Sequence, residues 1–333
     1  MNQMNKDIQL CGIGNGLVDF QFEVSFQELE NLGYRRGEMR LIDITEVPDI
    51  LFKVKDKKHN KCSGGSAANS VIAFTEFGGK AAYKTSLGDD DLGHFYSNEF
   101  KDMGIELRTA FLQSDPTGVC LVFITPDSER TMITALGATA KFDDKNLDSE
   151  IIKRSDWLYL EGYGFTQKPT TNAIYKAVDY ALESGTKISV SFSDFFVTEN
   201  FRDDLKYVVD RSDLVFCNET EALSYTQTTN LEDAFNFLSK TCPNLVITMG
   251  ARGSKIKWGN QIYQIDPFET NSIDSTGAGD MFAGAFLFGM YKWNDAAKAG
   301  QLASLAASKV IAQLGARLKE DYNAILESIN INH

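Results

Sequence analysis

Two carboxylates flank three of the smallest residues in the stretch Asp274-Ser275-Thr276-Gly277-Ala278-Gly279-Asp280, directly ahead of the apolar run MFAGAFLFGM. Without bulky side chains, the N–H groups of Gly277, Ala278 and Gly279 can converge on one anion. The helix expected over 277–291 adds the positive end of its dipole. Asp280 then falls in the first helical turn, beside that anion. A carboxylate is a poor ligand for phosphate but is well placed to take a proton from a hydroxyl attacking phosphorus. An acid in a first helical turn is also ordinary capping chemistry, and these seven residues alone leave both readings open.

Other glycine clusters follow expected strands: Gly12/Gly14/Gly16, Gly64/Gly65 and Gly250/Gly253. Ligands of open parallel sheets sit at the carboxyl ends of strands, so several such clusters suggest one shared cleft. The stretch GNGLVD (14–19) puts Asn15 and Asp19 four apart after the first strand, and a carboxylate can accept from two vicinal hydroxyls. Arg130 follows the polar turn PDSE (126–129). Its guanidinium could offset charge on a transferring phosphoryl group or form a salt bridge. Met132 and Leu136 lie two and six residues beyond it, on the same face of a strand.

The elements that must position these residues are legible from periodicity. From 156 onward the apolar runs DWLYLEG, KISVSF, DLVFC and NLVITMG alternate with helical segments at 170–184, 195–210, 219–226 and 230–241. That alternation predicts a three-layer α/β/α, doubly wound and mainly parallel sheet. A hairpin (SKIKWGNQIYQI) and long helices at 277–291 and 294–314 follow. The amphipathic β-like segments at about 17–45 and 107–136 do not fit a parallel core and are assigned to a small β-sheet lid, with 37–44 pairing on 19–25. Residues 53–61 read as a solvated basic run. The whole chain, 1–333, reads as one domain with this lid.

Composition narrows the function classes. A net charge of −13 argues against nucleic acid and anionic membranes as partners, and 43% hydrophobic residues suit a large globular core. Five scattered cysteines (11, 62, 120, 217, 242) form no CxxC pair, which suggests a reducing, cytoplasmic setting without disulfides or a zinc site. The first residues are too polar for a signal peptide, and no apolar run has membrane-spanning length. His59, His94 and His333 have no partner motif, there is no G-x-x-x-x-G-K-[ST], and GIGNG is not a full G-x-G-x-x-G.

The string DSTGAGD with Phe282 resembles the signature of the ribokinase-like (PfkB-type) sugar and nucleoside kinases, roughly D-[ST]-x-G-A-G-D-x-F. The resemblance implies an ATP- and Mg²⁺-dependent kinase of a small-molecule alcohol, with Gly277, Ala278 and Gly279 as anion hole and Asp280 as catalytic base. GGSAAN (64–69) is similar to the family's glycine motif, implying substrate contacts from Gly65 and Asn69. NETE (218–221) matches its N-x-x-E, implying that Asn218 and Glu221 organise Mg²⁺ through water; alone, that motif also fits a capped helix. TMGARGS (248–254) resembles the loop along the nucleotide, implying Thr248, Gly250 and Gly253. ASLAASKVIAQLGARL (303–318) resembles the final adenine-side helix. The family often needs a monovalent cation, and Asp274 is the residue placed to hold K⁺.

GNGLVD and the 116–138 segment resemble adenosine kinases. This implies that Asn15 and Asp19 hold the ribose region and that Arg130 is the lid arginine. By their spacing, Met132 and Leu136 with Leu17 could surround a purine or could simply pack the lid on the core, and Tyr163 could stack on a base. Gly164 and Thr276 depart from that subgroup, so another nucleoside or a ribose- or fructose-type sugar stays open as acceptor. A non-catalytic nucleoside- or sugar-binding regulator and the choice between monomer and homodimer stay open too.

Overall fold

The computed structural model describes residues 6–127 and 129–331; the signal-peptide expectation for residues 1–5, Ser128 of the 126–129 turn and His333 fall outside them. The chain opens with β1 (Ile8–Ile13), then β2 (Leu17–Glu23), α1 (Phe26–Leu32), β3 (Met39–Leu41), α2 (Val47–Lys53) and β4 (His59–Gly64). Next come α3 (Ser66–Glu76), β5 (Ala81–Gly88), α4 (Asp91–Asp102), β6 (Glu106–Leu112), β7 (Gly118–Ile124) and β8 (Arg130–Ala135). The alternating half runs α5 (Ser149–Lys153), β9 (Ser155–Glu161), α6 (Lys168–Ser184), β10 (Lys187–Ser191), α7 (Phe195–Asn200), α8 (Arg202–Val209), β11 (Leu214–Asn218), α9 (Glu219–Thr226), α10 (Leu231–Thr241) and β12 (Asn244–Thr248). The hairpin β13 (Ser254–Trp258) and β14 (Gln261–Ile265) leads to α11 (Ala278–Trp293), α12 (Ala296–Ile311) and α13 (Tyr322–Ile331).

Nine strands form the large sheet in the order β14-β13-β12-β11-β10-β9-β1-β5-β6, antiparallel only in the β12-β13-β14 meander. Successive side chains of a strand face opposite ways, and both faces here are apolar. Tyr159, Phe216 and Val246 pack among residues of α3, α11 and α12. Leu158, Leu160, Val215, Cys217, Leu245 and Ile247 pack among α5, α6, α8, α9 and α10 on the other face. Each large apolar side chain buried this way contributes roughly 1.5–3 kcal/mol before ordering costs. The expected three-layer, doubly wound architecture is the one observed.

The lid is a five-stranded sheet, β3-β8-β7-β2-β4, and it differs from expectation in three places. Residues 107–112 belong to β6 at the edge of the large sheet, paired parallel with β5. An edge strand is only half-buried, so it shows the same mixed pattern as a lid strand. Residues 59–64, read in part as a solvated basic run, form edge strand β4 against β2; most of its side chains face water because it lies at a sheet margin. Strand β3 pairs with β8 rather than with β2. One register row crosses the whole lid: Leu41, Thr134, Cys120, Asp19 and Cys62 are successive cross-strand partners. All five side chains therefore lie on one face.

Candidate active site

Asp280 is placed by the packing of two helices. Helix α11 crosses α3 so closely that a Cβ on Gly284 would lie 2.3 Å from the Ser70 carbonyl oxygen. That approach brings the start of α11 against the start of α3. Ser66 Oγ donates to Asp280 Oδ1 at 2.6 Å, and Asn69 Nδ2 donates to Oδ2 at 3.1 Å. Burial pushes the Asp280 carboxyl up to about 6, against the opposing pull of those two hydrogen bonds. A carboxyl held near that value is ionised at neutral pH yet remains a competent proton acceptor.

The turn before α11 is shaped by Gly277, whose φ of 76° is left-handed; a Cβ there would also meet the Ala316 Cβ at 2.5 Å. The Ala278 N–H donates to the Ser275 carbonyl at 3.3 Å, so this amide is already engaged. Among the described residues the N–H groups of Gly277 and Gly279 make no hydrogen bond, leaving two donors rather than three at the mouth of the helix. Gly279 has open space on its Cβ side.

Two cavities meet at this turn. The inner one, about 610 Å³, lies between the lid and the strand ends. Asn15, Leu17, Asp19, Gly65, Asn69, Met132, Leu136, Tyr163, Asn218, Glu221, Gly277, Gly279 and Asp280 all line it, so the structure gathers these sequence-picked residues around one space. The outer one, about 900 Å³, is lined by Thr248, Gly250, Gly253, Ala278 and Gly279, with Ser304, Ala307 and Ser308 of α12. Ser275 and Gly279 are the residues lining both.

Two expected residues stand elsewhere. Arg130 lines neither cavity; its guanidinium forms a buried ion pair with Asp274. Asp274 in turn accepts from the Thr276 N–H at 3.0 Å and the Gly315 N–H at 3.1 Å. A guanidinium and two amides thus already compensate the carboxylate expected to hold K⁺. Asn218 and Glu221 form a reciprocal helix cap: the Glu221 N–H donates to Asn218 Oδ1 at 2.8 Å, and the Asn218 N–H donates to Glu221 Oε2 at 2.9 Å, with Asn218 Nδ2 donating to Oε1 at 2.6 Å. Both nevertheless line the inner cavity. Burial, with Asp194 and Asp280 nearby, pushes Glu221 up to about 7. A carboxyl so raised by burial and like charge suits a bound cation. One carboxylate with one amide also suits Mg²⁺, which keeps most of its waters.

Several lining residues carried no sequence expectation. Ser66 lies inside the GGSAAN motif and was within reach of sequence reading. Glu161, which ends β9, accepts from the Asn15 N–H at 2.8 Å and the Ala67 N–H at 2.6 Å, and burial lifts it to about 7. Met39, Leu41 and Thr134 reach the cavity from the lid. Ser193 holds a left-handed φ of 69°, rare for a residue with a side chain, next to the cavity residue Asp194.

Asp19 is likewise raised to about 7, by burial against the pull of Arg317 and Arg130. With Asp280, Glu161 and Glu221 this makes four carboxyls whose folded values exceed unfolded ones of about 4. The folded protein therefore holds protons that the unfolded chain has released, and this contribution to stability is lost as pH rises from about 4 through 7. Carboxyls held low by arginine, such as Asp7 at about 2, act only below that window. The ligand-free protein should melt at a higher temperature at pH 5.5 than at pH 8 in calorimetry; the opposite order would show these groups ionised without penalty.

Comparison with known proteins agrees with this geometry. Residues 39–322 match the family described as pfkB family carbohydrate kinase. The adenosine kinase of Saccharomyces cerevisiae is 26% identical over 329 residues, covering 92% of this chain and 95% of its own. The fold superposes on a probable sugar kinase protein from Rhizobium etli CFN 42 with a TM-score of 0.90 and 29% identity, over 98% of this chain and 100% of that one. The adenosine kinase of Sinorhizobium meliloti follows at 0.88 and 28%, over 96% and 99%. No described helix is long and apolar enough to cross a membrane. A buried carboxylate beside the turn where two cavities meet and a family match over most of the chain lead to one conclusion: this chain belongs to the pfkB family of carbohydrate and nucleoside kinases, ATP-dependent enzymes that phosphorylate a hydroxyl group of a small molecule.

Proposed function

We propose that the acceptor is a nucleoside, adenosine above others, and that the γ-phosphoryl group of ATP passes to its primary hydroxyl. The observation that carries this reading is the mixed lining of the inner cavity. Asp280, Asn69, Asp19 and Asn15 are enough to engage a sugar's hydroxyls. The same lining carries Leu17, Met39, Leu41, Met132, Leu136 and Tyr163, more apolar surface than a sugar alone would use. A free sugar offers only a small C–H face to such side chains, whereas a purine offers a large flat apolar surface. The similarity to two adenosine kinases supports the same choice. A ribose- or fructose-type sugar is the second reading, favoured by Glu161 and Asp19, which add polar acceptors to the same cavity, and by the similarity to a sugar kinase.

In this mechanism the ribose sits against Asp19, Gly65 and Asn69, and its primary hydroxyl faces Asp280. The Asp280 carboxylate takes the hydroxyl proton as the oxygen bonds to the γ-phosphorus. The bond from phosphorus to the β,γ-bridging oxygen breaks, and ADP leaves through the outer cavity past Gly250 and Gly253. The N–H groups of Gly277 and Gly279 face the charge spread over the phosphoryl oxygens, aided by the positive end of α11. Asn218 and Glu221 are the residues suited to hold Mg²⁺ through its waters; when bound, the ion offsets phosphate charge. The lid wall excludes water that would otherwise compete as acceptor.

An ATP-consumption panel with adenosine, inosine, guanosine, cytidine, ribose and fructose tests the acceptor. Adenosine should give the highest kcat/KM; a sugar ahead of every nucleoside would replace this reading with the second. Run with and without K⁺, the panel should show little difference, because Arg130 already balances Asp274. A strict K⁺ requirement would mean that the pair opens during turnover.

A further inference from the structure

The Asp274 carboxylate joins three parts of the molecule that are remote in sequence. Its Oδ1 accepts from Thr276, which fixes the turn leading into α11. Its Oδ2 accepts from Gly315 in the loop after α12, and the same oxygen meets the guanidinium of Arg130, the first residue of lid strand β8. The side chains of Arg130 and Asp274 are 5% and 1% exposed, so neither charge is solvated. Arg130 Nε and Nη2 are both buried without a regular hydrogen-bond partner, which leaves the charge–charge contact of Nη2 with Asp274 as the guanidinium's compensation.

The loop completes the connection. Ala316 lies directly under Gly277, close enough that any Cβ on Gly277 would strike it. Arg317 donates to the Ser63 carbonyl and, at 2.6 Å, to Ser63 Oγ on lid strand β4. The lid thus grips the turn bearing the Gly277 and Gly279 amides directly through Arg130 and, through Arg317, by way of the loop beneath it.

We propose that Arg130 and Asp274 form a latch that assembles the phosphoryl cradle only when the lid is docked. Lifting β8 separates two buried charges, and an unpaired buried carboxylate is strongly unfavourable unless its surroundings open to water. The 274–277 turn and the 313–317 loop both hang on that carboxylate, so opening the lid loosens the cradle. ATP then meets an ordered cradle only with the acceptor enclosed, which limits transfer of its phosphoryl group to water. Both residues act through the turn and are positioning residues. This inference rests on the reading of 277–279 as the cradle, and it differs from a direct contact between Arg130 and the phosphoryl group.

The test is a four-protein cycle: wild type, Arg130→Met, Asp274→Asn and the double variant, with kcat, KM for ATP, and the ratio of acceptor-free ATP hydrolysis to transfer. A latch predicts that each single change lowers kcat by about 10-fold or more, raises the hydrolysis ratio, and that the double variant is no worse than the worse single one. Losses that multiply as independent effects would overturn it and favour a direct phosphoryl contact. So would single variants with unchanged kcat. If the single variants do not fold, the double variant, which buries neither charge, still decides: lowered kcat with a raised hydrolysis ratio supports the latch, lowered kcat with an unchanged ratio overturns it in favour of a direct phosphoryl contact, and wild-type kcat shows a purely structural pair. Arg130→Lys should recover part of the rate. Failure of the active-site reading on which this rests looks different: Asp280→Asn would then remain active, whereas an inactive Asp280→Asn beside a fully active double variant removes the latch alone.

Discussion

Asp280→Asn should lower kcat by roughly 10²–10⁴, the usual contribution of a positioned general base, while KM for ATP stays close to wild type. The amide matches the carboxylate in shape and can still accept from Ser66, and the Asn69 amide keeps its bond by turning over to accept from the new NH2 group. It cannot take a proton. Removing the carboxyl also removes a group whose ionisation the fold disfavours, so the variant should melt no lower than wild type at neutral pH, and separate chemistry from folding. The pH profile gives a second signature. With the carboxyl raised to about 6, wild-type kcat should climb as pH rises through that value and then level off. The residual rate of the variant should lack that limb. A loss under about threefold, or an unchanged acid limb, would take Asp280 out of the reaction.

Asp19→Ala should act on the other parameter, raising KM for the acceptor roughly 10- to 100-fold, as expected when a charge-assisted hydrogen bond to a bound hydroxyl is lost. The ionised form is the better acceptor of two hydroxyl protons, and burial holds this carboxyl at about 7. Acceptor KM in the wild type should therefore fall as pH rises from 6 to 8, and this dependence should vanish in the variant. Arg317 and Arg130 lie close enough to influence the group. A merely structural Asp19 would thus show itself by lower protein yield with an unchanged KM. Initial rates over a grid of adenosine concentrations and pH distinguish the two outcomes.

Much of this site could be read before any coordinates, because its chemistry is local in sequence. The 274–280 string carries its own turn, helix start and carboxylate, and GGSAAN carries the turn and the polar side chains Ser66 and Asn69 at the start of α3. Residues whose role depends on distant pairing were not legible. Nothing near Arg130 says that its partner is Asp274, so a lid arginine expected beside a phosphoryl group lies in a buried pair instead. Glu161 is one charge at the end of an apolar strand; its two bonds to Asn15 and Ala67 exist only because β9 lies beside β1 in the sheet.

The same reason explains the misplaced strands. His59–Gly64 is polar and basic by local pattern and becomes a strand only through pairing with β2. Glu106–Leu112 has a half-buried pattern that fits either sheet margin, and only its ladder with β5 assigns it. The parallel core was easier, since strands covered on both faces must be apolar throughout.

The lid is not a contiguous piece of chain. Its central ladder joins Leu17–Glu23 to Gly118–Ile124, about a hundred residues on, and β1, α3, β5, α4 and β6 are all threaded between or beside its strands. Closing so long a loop is entropically unfavourable until the large sheet has brought the ends together. During refolding the lid ladder should thus gain protection after the parallel core, and half-made molecules would expose unpaired β2 and β7 edges, an aggregation hazard during synthesis and renaturation that a contiguous lid would not carry.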